Sequence, residues 1–172
     1  MTDVHARLNA APAGEAAAAL LRCCGSGRWV ARVLERRPFA SLAELHAVAE
    51  EAWKGLDRAD YLEAFAHHPP LGADPARLRE RFAPPGDPGW SAQEQSAVAR
   101  ADEATLEALR ARNAAYEARF GFVFLVCATG KGADEVIALL EQRIGNDPST
   151  ELAVAAGEQA KITRLRLEKL TL

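Results

Sequence analysis

The sequence predicts an all-α fold, organised as a single compact multi-helix domain over residues 1–172. Apolar patterns of helix length alternate with Gly- and Pro-containing breakers along the chain, as they do in helical proteins. Only residues 122–126 have the apolar, aromatic composition of a strand. Because a lone strand has no pairing partner, we expect this stretch to lie outside any sheet. The length of 172 residues fits one domain, or two closely packed halves.

Capping residues and breakers place the helices in order. Ser41 is followed three residues later by Glu44, the capping-box pattern of a helix start. Pro75 follows Asp74 at a first helical position, where proline is tolerated. The predicted helices are an Ala-rich one ending at residue 23, one over 28–36, one from 41 towards 53, one from 57 to the His68–Pro69 junction, a short one from 75, a long one over 91–119, one over 134–144, and a final long one from 148.

Composition and charge argue against several classes of protein. Hydrophobic residues make up 49% of the chain and charged residues 26%, the balance of a soluble globular protein. The net charge of −3, without an excess of Lys and Arg, argues against a nucleic-acid partner. No apolar run approaches the roughly 20 residues needed to cross a bilayer, so no membrane association is expected. The N-terminal residues lack a signal-peptide pattern, and the expected location is therefore cytoplasmic.

The three cysteines indicate neither a disulfide framework nor a metal centre. Cys23 and Cys24 are adjacent, which disfavours both a mutual disulfide and tetrahedral ligation. Cys127 lies in an apolar run and is expected to be a small buried side chain. No group of His, Cys and carboxylate residues has metal-ligand spacing, and no glycine-rich nucleotide fingerprint is present.

The junction of His68 and Pro69 is a candidate catalytic element. Proline fixes its own φ and pushes the preceding residue towards extended geometry, so His68 should end its helix with its ring direction largely set by the backbone. Histidine is the side chain best matched to proton transfer near neutral pH. The alternative is that Pro69 is only a stop signal and His68 a surface residue.

The long helix from Ser91 carries two polar residues on its apolar face. With Val98 at zero on a helical wheel, Glu94 falls at roughly −40° and Gln95 at roughly +60°, so both point into the protein. Ser91 and Glu94 also form a capping-box pattern, in which the Glu side chain returns to the Ser91 amide. The two roles are compatible, because a helix N-terminus favours bound anions.

The final helix turns one arginine inward. With Ile162 at zero, Arg166 lies at roughly +40°, within the apolar arc, whereas Arg164 lies on the opposite, solvated side. A buried charge is costly unless it is paired, so Arg166 should meet either an anionic ligand or a protein carboxylate. A structural salt bridge, with Glu94 as one possible partner, is the alternative to ligand binding.

Landmarks over nearly the whole chain give a family resemblance. They are Leu8-Asn-Ala, Cys24-Gly-Ser-Gly-Arg-Trp29, Arg37-Pro-Phe39, Ala64-Phe-Ala-His-His68-Pro-Pro-Leu-Gly72, Ser91-x-x-Glu94-Gln95, Asn113-x-x-Tyr116, Phe120-Gly-Phe-Val-Phe124 and Lys161-Ile-x-x-Leu-Arg166-Leu167. With these motifs the sequence resembles the OHCU decarboxylases, which act on 2-oxo-4-hydroxy-4-carboxy-5-ureidoimidazoline in the conversion of urate to allantoin. It departs from the family at Pro70, where an arginine is usual, and in a longer Pro-rich loop before Ser91.

The resemblance implies an all-α homodimeric enzyme that needs neither a metal nor an organic cofactor and takes a small-molecule substrate. It implies that His68 is the catalytic histidine and that Glu94 acts with it. Substrate contacts, partly through backbone groups, are implied for Pro69, Ser91, Gln95, Phe124, Leu125, Val126, Cys127, Ala128 and Arg166. Two alternatives remain open: a catalytically silent helical interaction module, and a decarboxylase or hydrolase of a related ureido acid.

Overall fold

The fold is described by a computed structural model for residues 3–70 and 103–172. Within these ranges every regular element is an α-helix and no residue lies in a strand, which confirms the predicted fold class. The helices are α1 (Val4–Ala10), α2 (Ala13–Cys24), α3 (Gly27–Leu34), α4 (Leu42–Lys54), α5 (Arg58–Ala66), α6 (Glu103–Phe120), α7 (Ala133–Arg143) and α8 (Pro148–Glu168).

The chain divides into two compact units, of which the first comprises Met1–Phe65 and Gln159–Leu172. Helix α3 packs against α2 and α4, and α1 packs against α4. Trp29 is fully buried in this unit, and its indole Nε1 donates a hydrogen bond to the Ala49 carbonyl at 2.9 Å. Trp53 is also buried, so both tryptophans belong to the core of this unit.

Side-chain caps begin α4 and α5 where the sequence predicts helix starts. The Ser41 hydroxyl accepts a hydrogen bond from the Glu44 amide at 3.1 Å, while the Glu44 carboxylate accepts from the Ala40 amide at 2.6 Å. Asp57 and Asp60 each accept from the other's backbone N–H, which forms a reciprocal cap on α5. Both arrangements satisfy N–H groups that have no partner inside their helix.

The second unit comprises Ala66–Glu158, and in its described part α6 packs against α7. Helix α6 ends at Phe120, and the φ of 79° at the next residue, Gly121, lies in the left-handed region that favours glycine. This turn returns the chain onto α6, so that the Phe122 and Phe124 rings lie 5.9 and 5.2 Å from the ring of Tyr116. The stretch of strand-like composition therefore runs without regular structure over a buried aromatic cluster.

The observed helices differ from the predicted ones at α1, α3 and α5, the last of which ends at Ala66 rather than at the His68–Pro69 junction. Helix α1 is not predicted, because it is only seven residues long and its buried pair, Val4 and Leu8, covers a single turn. Helix α3 ends at Leu34 rather than at residue 36, because the last two residues form a turn. The short helix expected from Pro75 and the start of the long helix at Ser91 lie outside the described residues.

Candidate active site

His68 lies just beyond the end of α5, two residues after Ala66. It is 8% exposed, whereas its neighbours His67 and Pro69 are half-buried. The chain leaves the helix at this point, as expected for a residue that precedes proline. The burial of His68 argues against the alternative of a surface side chain.

Residues 124–128 follow the aromatic turn and are held by charged side chains. The Arg143 Nη1 atom donates to the Leu125 carbonyl at 2.6 Å, and the Arg143 guanidinium carbon lies 4.5 Å from the centre of the Phe124 ring. The Cys127 N–H donates to the Glu158 carboxylate at 2.7 Å, and the Lys131 Nζ donates to the Cys127 carbonyl at 3.1 Å. This segment is therefore fixed through its peptide groups.

A buried polar cluster supports the same segment from the side of α7 and α8. Glu151, at 0% exposure, accepts hydrogen bonds from Arg143 Nε and Nη2 at 2.8 and 2.6 Å. It also accepts from the Tyr116 hydroxyl and from the Asn146 amide. Burial and the hydrogen bond to Glu151 raise the pKa of Tyr116, so its hydroxyl stays protonated and acts as a donor. The cluster pairs the buried charge of Arg143.

Arg166 belongs to the first unit and is 6% exposed, which confirms the inward orientation predicted from the helical wheel. Its Nη1 atom lies 3.4 Å from the Arg22 carbonyl at the end of α2. Burial raises the pKa of the nearby Cys24 thiol to about 12, while Ser26, Thr163 and the positive charge of Arg166 act in the opposite direction. Arg164, by contrast, is exposed and pairs with Glu50, as the wheel predicts.

The predicted substrate-contacting residues of the segment differ in exposure. Cys127 is half-buried, so the expectation of a buried small side chain is only partly met. The buried members are Phe124, Leu125, Val126 and Ala128.

The predicted site residues Ser91, Glu94 and Gln95 lie outside the described residues. His68 belongs to the second unit and Arg166 to the first, and each is placed within its own unit.

The sequence contains a helical pattern that predicts the buried cluster. On the wheel that turns Arg166 inward, Glu151 falls within about 20° of Ile162, on the same apolar arc. On α7, Arg143 follows Val136 and Leu140 at the seven- and three-residue spacings of a buried stripe. Two inward charges of opposite sign on consecutive helices indicate a pair.

A second buried residue without a predicted role is His46 in the first unit. It lines a small cavity with Trp29, Trp53 and Leu167, and its Nε2 lies 3.5 Å from a carboxylate oxygen of Glu168. Within the described residues neither ring nitrogen has a hydrogen-bond partner. Burial, and then the charge of Arg164, lower the pKa of His46. Both effects disfavour protonation of the imidazole, while the carboxylates of Glu168 and Glu50 act in the opposite direction.

The described residues contain no cluster of three or more His, Cys, Asp or Glu side chains able to hold a metal ion. Among the same residues, no helix combines the length and the apolar character that crossing a membrane requires.

The described residues, which include a buried histidine before a proline and a buried arginine on the last helix, define an all-α protein, and its fold is shared by crystal structures of OHCU decarboxylase. One such crystal structure, determined in the presence of (S)-allantoin, is 31% identical in sequence and superposes with a TM-score of 0.72, covering 87% of this chain and 94% of its own. The family model described as OHCU decarboxylase matches residues 9–168. The chain belongs to the OHCU decarboxylase family.

Relatives from distant organisms agree with this assignment. The chain is 35% identical over 150 residues to the uric acid degradation bifunctional protein TTL of Arabidopsis thaliana, covering 86% of this chain and 45% of that protein. It is 32% identical over 141 residues to the 2-oxo-4-hydroxy-4-carboxy-5-ureidoimidazoline decarboxylase of Amia calva, covering 81% of this chain and 78% of that protein. The chain thus spans less than half of the bifunctional plant relative.

Proposed function

We propose that this protein is a decarboxylase that converts 2-oxo-4-hydroxy-4-carboxy-5-ureidoimidazoline (OHCU) to (S)-allantoin in urate degradation. The match of the family model to residues 9–168 is the observation that carries the proposal. The burial of His68 and Arg166 supports it, because both residues occupy positions of family motifs and neither is an ordinary solvated side chain.

The chemistry of OHCU explains why no cofactor need take part. Its carboxylate is next to a ring C=N bond, so the electrons of the breaking C–C bond flow into that bond as CO2 leaves. The substrate thus supplies its own electron sink, the role that pyridoxal phosphate or thiamin plays elsewhere. The protein then has to hold the carboxylate out of the ring plane, stabilise the enol-like intermediate and deliver a proton to one face.

His68 is the proposed general base. It hydrogen-bonds or deprotonates the substrate hydroxyl and thereby promotes the departure of CO2, an effect typically worth about 10² to 10⁴-fold. Glu94 orients His68 or the substrate and takes part in reprotonation. A rigid backbone at the His68–Pro69 junction suits this role, because a base must be positioned before its pKa matters.

Arg166 and the polar residues provide orientation. The guanidinium matches a carboxylate through two parallel hydrogen bonds, so Arg166 is proposed to hold the substrate carboxylate. Ser91 and Gln95 are proposed to hold the ureido group. Peptide and side-chain groups of residues 124–128, together with Pro69, complete the pocket. Orientation of this kind removes part of the entropic barrier.

The oligomeric state, the cellular location and the independence from metal ions are also proposals. The family resemblance supports a homodimer, which light scattering coupled to size-exclusion chromatography tests directly. A cytoplasmic location is likewise proposed. Dialysis against a chelator should leave the activity unchanged, because the proposed mechanism uses no metal.

The decisive test is a circular dichroism assay with freshly prepared OHCU. Uncatalysed decay gives racemic allantoin, so an enantiomeric excess of the S form reports the enzyme directly. Loss of OHCU at the uncatalysed rate, with a racemic product, would show a catalytically silent protein. The presence of Pro70 in place of the usual arginine leaves room for such a silent protein. A related ureido acid, which the same site residues would serve, is the second candidate substrate, and a panel of such acids tests it.

A further inference from the structure

Both backbone groups of Cys127 are bound by charged side chains of opposite sign. The Glu158 carboxylate accepts from its N–H at 2.7 Å, and the Lys131 ammonium donates to its carbonyl at 3.1 Å. Arg143 donates at 2.6 Å to the carbonyl of Leu125, which lies two residues before Cys127. Hydrogen bonds that involve an ionised group are shorter and stronger than neutral ones. We call these three side chains, Lys131, Arg143 and Glu158, the charged clamp.

The charged clamp replaces the hydrogen bonds that a sheet would otherwise supply. Residues 123–128 lie in no helix or strand, so no ladder of backbone hydrogen bonds fixes their register. A segment fixed only by apolar packing is free to slide, because apolar contacts are non-directional. The Glu158 carboxylate and the Lys131 ammonium both bind the backbone of Cys127, so together they oppose displacement of this residue in either direction. The clamp therefore determines where the peptide groups of this segment lie.

We propose that Glu158 is a positioning residue for decarboxylation, acting through the peptide groups of residues 124–128. The inference rests on the proposed function, in which this segment lines the substrate pocket. Glu158 does not touch the substrate in this scheme; it fixes the groups that do. A misplacement of about 1 Å in a substrate-binding group can lower the rate by about 100-fold.

Glu158 is the member of the clamp whose role can be separated from folding. It is half-buried, so its carboxylate is less enclosed than the fully buried carboxylate of Glu151. Arg143, in contrast, neutralises the fully buried Glu151, and its loss would destabilise the whole unit. Substitution of Glu158 should therefore change the geometry of the segment while the fold remains intact.

The test compares Glu158→Ala with Glu158→Gln, which keeps an oxygen acceptor for the Cys127 N–H. Glu117→Ala on the exposed face of α6 is the matched control. We expect Glu158→Ala to lower kcat/KM for OHCU by about 10- to 100-fold and to reduce the enantiomeric excess of allantoin, with an unchanged Tm. Glu158→Gln should recover most of the activity, and Glu117→Ala should behave as wild type.

Amide hydrogen exchange at Cys127 provides a readout that does not depend on activity. Exchange should be faster in Glu158→Ala than in the wild type and in Glu158→Gln. Wild-type kinetics and exchange in Glu158→Ala would overturn the inference, as would an activity loss that follows a fall in Tm. A wild-type protein without OHCU decarboxylase activity would instead overturn the proposed function, and the positioning role of Glu158 with it.

Discussion

At the scale of single residues, two neighbouring histidines have different environments. His68 is buried beside a proline that restricts its backbone, while His67 is half-buried. We expect His68→Gln to lower kcat by about 10² to 10⁴-fold, because the proposed general base is lost. His67→Gln should remain active and serves as the matched control. Near-normal turnover of OHCU in His68→Gln, measured by circular dichroism, would remove His68 from the mechanism.

Arg166 and Arg164 form a second natural comparison, since they lie two residues apart on α8 with opposite exposure. We expect Arg166→Ala to raise KM for OHCU by about 10- to 100-fold, because charged hydrogen bonds to the substrate are lost. Arg166→Lys should recover only part of the affinity, since lysine lacks the planar fork. Arg164→Ala should leave the kinetics unchanged. A large fall in Tm with KM intact in Arg166→Ala would support the structural salt bridge instead.

The different exposure of these two arginines can be predicted from the sequence for a simple reason. Helical periodicity alone separates the buried Arg166 from the exposed Arg164, because the helix fixes the angle between them. What Arg166 binds cannot be derived in this way, because its partner comes from another part of the chain. The same holds for His68, whose rigid backbone follows from Pro69 but whose surroundings depend on the tertiary fold.

At the scale of helices, α7 and α8 are joined by a buried ion pair, and α6 and α7 by an exposed one. Arg143 and Glu151 are almost fully buried, whereas Arg112 and Glu141 are exposed. We expect Glu151→Gln to lower the free energy of unfolding by about 3–5 kcal/mol, because a buried guanidinium loses its counter-charge. Glu141→Gln should cost about 1 kcal/mol or less. Urea titrations of both variants measure the difference, and equal losses would contradict it.

Helix starts are the elements that the sequence predicts best. Ser41 and Asp57 cap their helices through local side-chain contacts, so a few adjacent residues contain the whole signal. Helix α1 is missed because seven residues carry too little periodicity. The cluster around Glu151 is missed because a glutamate near a helix N-terminus also fits a simple surface role beside the helix dipole. The burial of the side chain, and not the residue type, distinguishes a glutamate in a buried cluster from one on the surface.

At the scale of the whole molecule, the described residues form two compact units, and the last helix contributes residues to both. The single domain over residues 1–172 stays a prediction. The all-α class follows from the sequence because breakers and periodicity are distributed along the entire chain. The two-unit division does not follow from the sequence, since it depends on which distant segments pack together.

Global stability should depend on pH through His46. Burial lowers its pKa in the folded state, while the unfolded chain keeps the ordinary value of about 6.5. The unfolded state therefore binds the proton first, and stability should fall as the pH drops below about 6.5, by at most about 1.4 kcal/mol per pH unit, until the folded-state pKa is reached.

Urea titrations between about pH 7.5 and 5.5 measure this loss. In His46→Leu the loss should be smaller, because leucine has no proton to gain and suits a cavity lined by Trp29 and Trp53. His67→Gln should keep the wild-type profile. Identical pH profiles in the wild type and His46→Leu would show that His46 does not contribute.

The three cysteines form no disulfide, so their thiols can be used for spectroscopic labelling. Cys23 and Cys24 are completely enclosed, and Cys24 resists ionisation, whereas Cys127 is partly open to solvent on the segment that lines the proposed pocket. A maleimide dye should consequently label one sulfur in the native protein without mutagenesis. Fluorescence from that single position would report ligand arrival at the pocket, and the reaction of the other two would report unfolding.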